Sequence, residues 1–130
     1  MAIGVIAQRA KIATSAIRYY ERRGLVAATT RTSGQRRYNL AALRRVIFIG
    51  MLQDAGLTLD DIAVVLSAGN VEDWKEVARN RLAMLREEIA RLQTMSELLD
   101  GALLCRYDHP LNECRVMGDE INRRLAQSQR

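Results

Sequence analysis

Acidic side chains are almost missing from the first fifty residues: Glu21 stands alone against ten lysines and arginines, whereas residues 51–130 hold fourteen acids against ten bases. The overall formal charge of +5 therefore hides a cationic N-terminal half and a mildly anionic remainder. Clustered cations of this kind bind nucleic acid by releasing condensed counterions from phosphates; a merely solubilising basic surface is the competing explanation. Cysteine is scarce too. Cys105 and Cys114 are the only two, both near the C-terminus, which excludes the disulfide framework of a small secreted domain. In a reducing compartment they are thiols, ligands or redox sensors. No apolar run approaches the ~18 residues of a membrane span, and Arg9 comes too early for a secretory leader, so the expected location is the cytoplasm with no membrane partner. Histidine occurs once, as His109, and no glycine-rich cofactor loop is present. A thiol enzyme would have that one base and nothing else, so no enzyme activity is expected.

What is present reads as helices. With 130 residues, 48% of them hydrophobic, there is room for one compact domain and an extended element. Ile3, Ile6, Ala7 and Ala10 share a helical face. Thr14 and Ser15 then stand as a hydroxyl cap ahead of Ala16, Ile17 and Tyr20, and Gly24 closes this second helix. Two short helices with a tight junction make a helix-turn-helix, although the junction Lys11-Ile12-Ala13 lacks the glycine common there. Residues 25–39 change to β-branched and small residues around Ser33-Gly34, the signature of a small hairpin or wing. Leu43, Val46, Ile47, Ile49 and Leu52 return to helical spacing and stop at Gly56. Thr58-Leu59-Asp60-Asp61 opens a further short helix, Ile62 to Leu66, closed by Gly69.

From Glu72 there is no proline, and no glycine before Gly101, so a helix of about 33 residues, roughly 50 Å long, is expected up to about Leu104. Ala78, Leu85, Leu92 and Leu99 recur every seven residues, with Leu82, Ile89 and Leu103 in the intervening core positions and Ser96 as a polar interruption. Exposing such a stripe costs on the order of 1.5 to 3 kcal/mol per large side chain, which makes a second copy of the chain its natural cover. An amphipathic helix lying on its own N-terminal domain is the alternative. Beyond it, Pro110 suits the first turn of a final helix capped by Asp108 or His109, with Leu111, Cys114, Met117, Ile121 and Leu125 on one face. A polar tail, Gln127 to Arg130, follows. Trp74, the single tryptophan, is expected to pack at the hinge between the halves. The expected fold is mainly α, in three parts: a winged helix-turn-helix over 1–70, a coiled-coil dimerisation helix over 71–104, and an effector loop with a short C-terminal helix over 105–130.

The string Ala16-Ile17-Arg18-Tyr19-Tyr20-Glu21-Arg22-Arg23-Gly24-Leu25 sets cations and phenolic hydroxyls on the helix that would enter a major groove. Arg18 can fork onto a guanine or meet a phosphate, and Tyr19 can donate to a phosphate, while Tyr20 falls on the apolar side with Ile17. This string, the segment Arg31-Thr32-Ser33-Gly34-Gln35-Arg36-Arg37-Tyr38 and the helix Leu43-Arg44-Arg45-Val46-Ile47-Phe48-Ile49 occur in that order, and together they resemble the MerR family of bacterial regulators over residues 3–66. The resemblance implies a winged-helix DNA-binding domain, an antiparallel coiled-coil homodimer and a pseudo-palindromic promoter as double-stranded DNA partner. It also implies effector-driven distortion of an over-long promoter spacer, so that RNA polymerase engages both elements. By position, Thr14, Ser15, Arg18 and Tyr19 fall on the recognition helix, and Arg36, Arg37 and Tyr38 on the wing.

Metal-sensing members of that family bind their ion after the coiled coil through two cysteines. Cys105, His109 and Cys114 match that place and offer two thiolates and one imidazole, a set suited to zinc, monovalent copper or mercury. Where such sensors carry a Cys-Pro pair, this chain has His109-Pro110. Residues 70–76 supply no further cysteine, and an iron-sulfur cluster needs four. Other readings of the same residues remain open: a thiol sensor of oxidants or electrophiles, a buried structural Cys114, and an architectural or excisionase-like DNA binder with no effector.

Overall fold

The computed structural model describes residues 1–128, and it divides into two compact units, Met1–Arg81 and Leu82–Arg130. In the first, α1 (Ile3–Ala10) and α2 (Thr14–Arg22) are followed by a hairpin of β1 (Thr30–Thr32) and β2 (Gln35–Arg37), then α3 (Leu40–Asp54), α4 (Leu59–Ser67) and the opening of α5 (Val71–Leu103). The junction between α1 and α2 forms without glycine. Lys11 itself takes the left-handed conformation (φ 59°), which lets Ile12 N–H reach the Ala7 carbonyl at 3.0 Å. A non-glycine residue pays on the order of 1 to 2 kcal/mol for that geometry.

The hydroxyl cap expected for α2 does not form. Ala13 occupies the extended capping position and has no side-chain oxygen, and Thr14 is already the first helical residue. The other ends follow their local chemistry. Gly24 (φ 74°) ends α2, with Leu25 N–H on the Tyr20 carbonyl. Asn39 caps α3 by accepting from Ala42 N–H at 2.9 Å, and Thr58 with Asp61 forms a reciprocal capping box on α4. In the hairpin Thr30, Arg31 and Thr32 face Arg37, Arg36 and Gln35, and Ser33 and Gly34 both have positive φ, the geometry a two-residue hairpin turn requires.

Ile6, Ile17, Tyr20, Leu25, Val26, Tyr38, Leu43, Val46, Ile49 and Ile62 form the core of this unit. The unit runs past the 70/71 boundary expected from the sequence, because the first turns of α5 belong to it. Val77 packs against the core, and Arg81 donates from Nε to the Ala55 carbonyl at 2.7 Å, capping the end of α3. Trp74 is 41% exposed, with the Lys75 ammonium 5.8 Å from its ring centre.

The second unit holds the rest of α5, then α6 (Pro110–Glu113) and α7 (Arg115–Ser128). Leu82, Ile89, Leu92, Leu99 and Leu103 of the heptad seam are all exposed, Leu103 by 82%. The single final helix expected from the sequence is two helices, because Cys114 turns extended (ψ 119°) between them. Cys114 therefore does not share one continuous helical face with Leu111. His109 takes the capping position of α6 without any side-chain hydrogen bond. Of the expected polar tail, Gln129 and Arg130 lie outside the described residues.

Candidate nucleic-acid interface and thiol pocket

The short α2 buries Ile17 and Tyr20 and thereby turns Ser15, Arg18, Tyr19 and Arg22 outward. Burial and the charge of Asp54 raise the Tyr20 hydroxyl's pKa, and it donates to Gln53 Oε1, fastening α2 to α3. Arg23 reaches out from the end of α2 to Asp60 at the start of α4, which ties the same helix to a further element. Tyr19 is held from outside. Arg22 and Arg23 lie 5.6 and 5.9 Å from its ring centre, and Arg23 Nη1 donates to its hydroxyl oxygen at 3.2 Å, which leaves the phenolic proton for an acceptor beyond the protein.

The wing stands beside this helix. A groove of about 490 Å³ is lined by Ala2, Ile3, Arg18, Gln35, Arg36 and Tyr38, so the fold brings Arg18 of α2 together with Arg36 of β2. Arg31, Arg36 and Arg37 are exposed. Tyr38 is not: it is 2% exposed, and its hydroxyl donates to Glu21 Oε1. Its expected place among the wing residues that face DNA is therefore corrected, since an aromatic ring sealed in the core cannot reach a duplex. Burial, then the bond and charge of Glu21, push its pKa up to about 12. Thr14 is half-buried and Ser15 exposed, both without a capping role. Sequence reasoning passed over Glu21, which also pairs with Arg36. The available signal was its isolation as the one acid in the basic half.

In the second unit, α5 ends where α7 begins to pack. A Cβ on Gly101 would come within 3.2 Å of the Val116 side chain, so glycine permits the approach. Beside it lies a cavity of about 510 Å³ lined by Leu104, Cys105, Tyr107, Cys114, Arg115 and Val116. Cys105 is half-buried and Cys114 buried, and both are free thiols. The Cys114 thiol is held below its ordinary pKa by the Met117 N–H, and further by the Cys105 thiol and the Val116 N–H, against the opposing effect of burial. Unpaired amides at the start of α7 thus favour the thiolate. The two cysteines share one site, but His109 does not join them: among the described residues no group of three or more His, Cys, Asp or Glu side chains could hold a metal ion. Two soft donors lining one cavity fit a thiophilic ion that accepts few protein ligands.

Comparison with known proteins agrees with this layout. Residues 1–69 match the family described as MerR HTH family regulatory protein, and residues 43–102 the one described as MerR, DNA binding. The HTH-type transcriptional activator SoxR homolog of Chromobacterium violaceum is 34% identical over 109 residues, covering 79% of this chain and 74% of that protein. The mercuric resistance operon regulatory protein of Pseudomonas fluorescens is also 34% identical over 109 residues, covering 81% and 75%. Among solved structures, the regulator PbrR691 of Ralstonia metallidurans CH34 in complex with lead(II) superposes with a TM-score of 0.64 at 22% identity, covering 92% of this chain and 98% of that one. HiNmlR, a MerR family regulator lacking the sensor domain and bound to promoter DNA, gives 0.64 at 23% identity over 80% and 83%.

Proposed function

Because the chain belongs to the MerR family of helix-turn-helix transcriptional regulators, we propose that it is a cytoplasmic, effector-responsive regulator that grips promoter DNA as a homodimer and senses a thiophilic metal ion through Cys105 and Cys114. The observation that carries the sensing half of this reading is the thiol pair itself: two cysteines nine positions apart line one cavity, and the more buried one is favoured as thiolate. The mercuric and lead(II)-bound relatives supply the chemical class. Zinc, monovalent copper and mercury are the ions to test. An ion held there would draw the end of α5 and the start of α7 together, which is where Gly101 and Val116 already touch.

The DNA half rests on Ser15, Arg18 and Tyr19 projecting from α2 beside the arginines of the wing, with Thr14 at the same helix start. Arg18 reads a base edge and Tyr19 donates to a phosphate in this reading. The exposed seam of α5 pairs two copies, so that two basic units address one duplex and, on effector binding, distort it for RNA polymerase. Titrating the reduced protein with each ion, and repeating with Cys105→Ser and Cys114→Ser, tests the sensor. Stoichiometric uptake lost in both variants supports it, and equal uptake by wild type and the double variant rejects it. A thiol switch responding to oxidants or electrophiles is the second reading, favoured by the lowered Cys114 pKa. It requires a response to oxidant in metal-free protein.

A further inference from the structure

We propose that Glu21 positions the wing against the recognition helix and, in doing so, withholds Arg36 from DNA phosphates, leaving Arg31 and Arg37 as the wing's phosphate ligands. This rests on the DNA-binding reading above and divides the labour within it. Glu21 lies in the last turn of α2, where an acid opposes the helix dipole, so local helix stability does not explain it. Its side chain is only 10% exposed, and both oxygens are committed across the gap to the wing, Oε1 to the Tyr38 hydroxyl and Oε2 to Arg36 Nη1.

The hairpin register shows why a carboxylate is needed there. Arg31 and Arg36 sit directly opposite each other, so both project from the same face, and Glu21, Arg31 and Arg36 line one groove. Like charges across a strand pair repel, and one carboxylate beneath them relieves that repulsion. Handing Arg36 to a phosphate would leave a nearly buried carboxylate without its cation, a cost that an exposed phosphate contact does not recover. Arg37 projects from the opposite face, paired with Thr30. Among the described residues no carboxylate comes within ion-pair distance of Arg31 or Arg37.

The salt dependence of binding by the whole chain to a duplex of fixed sequence separates these roles, because each neutralised phosphate adds about 0.9 to the slope of log affinity against log salt. Because two copies address one duplex, Arg37→Met is expected to flatten the slope by about 1.8 and Arg36→Met to leave it unchanged, while Glu21→Gln, by releasing Arg36 in both copies, steepens it by about 1.8. A purely structural Glu21 would weaken binding without steepening the slope, and that result from a folded Glu21→Gln would overturn the proposal. So would Arg36→Met flattening the slope as much as Arg37→Met, a comparison that decides the matter even if Glu21→Gln fails to fold by circular dichroism. Wild-type protein that shows no salt-dependent duplex binding would overturn the DNA reading itself, and the inference with it.

Discussion

Residues Met1–Arg81 bury thirteen apolar side chains in one core, whereas among the described residues of Leu82–Arg130 only Cys114 is buried. Both regions are rich in leucine, isoleucine and valine, so the difference lies in what covers them. The first unit folds its short helices and hairpin onto one another. The second spends its apolar residues along one long helix and a short one, where Ile89, Leu92, Leu99 and Leu125 remain in solvent. A region that leaves its own stripe uncovered has the most to gain from a partner, whereas the first unit is self-sufficient.

The largest expected effect breaks this contrast directly. Ile62→Ala, in the core of the first unit, should cost about 2 to 5 kcal/mol, independently of protein concentration. Ile89→Ala, the same truncation on the exposed seam, should leave the separated chain nearly unchanged and lower the melting temperature only in a concentration-dependent way, because it acts through association. Thermal melts over a concentration series distinguish the two. Arg18→Ala should weaken specific DNA binding by about 1 to 3 kcal/mol while sparing the fold, read by competition between cognate and arbitrary duplex. Gly56→Ala comes next, at about 1 to 3 kcal/mol. Gly56 has φ 89°, and a Cβ would collide with the Arg81 guanidinium, so the substitution strains the turn and displaces the cap on α3.

The smallest effects sharpen the comparison by pH. Tyr38 holds its proton more tightly folded than unfolded. The stability this gives the first unit is complete below the ordinary tyrosine pKa of 10 and is lost as pH rises towards about 12; Tyr38→Phe should abolish that alkaline loss. In the second unit, the hydrogen bond from Arg123 and then that from Arg124 hold Glu120 down to about 2. Its small contribution to α7 is present above the ordinary carboxylate pKa of 4.5 and disappears as pH falls through about 2. Circular dichroism of Glu120→Gln should show a weakened acid dependence of helicity.

Much of this architecture was legible because local rules and tertiary packing agree. Ile3–Ala10, the Ser33-Gly34 turn and the long run without proline each read the same way by periodicity and in space. Lys11 was harder. Nothing in its side chain announces a left-handed backbone, which the packing of α1 against α2 imposes. Tyr38 was placed on the wing by its position in the family motif, yet it follows the end of β2 and is buried in the core, with its hydroxyl on the Glu21 carboxylate. The break at Cys114 escaped a pattern-based reading, since Leu111, Cys114 and Met117 keep helical spacing across it. The nearness of Cys105 to Cys114 was visible as spacing, whereas the absence of His109 from any three-ligand group among the described residues was not, since His109 takes the capping position ahead of α6.

The most direct test is the stoichiometry of intact, reduced protein on duplex DNA by analytical ultracentrifugation, with Leu92→Glu/Leu99→Glu as the control that charges the seam. Two copies per duplex for the wild type, falling to weakly held single copies for the variant, is the expected result. A wild-type chain that binds singly and as tightly as its charged variant would contradict the claim that an exposed helical stripe unites two basic units on one DNA.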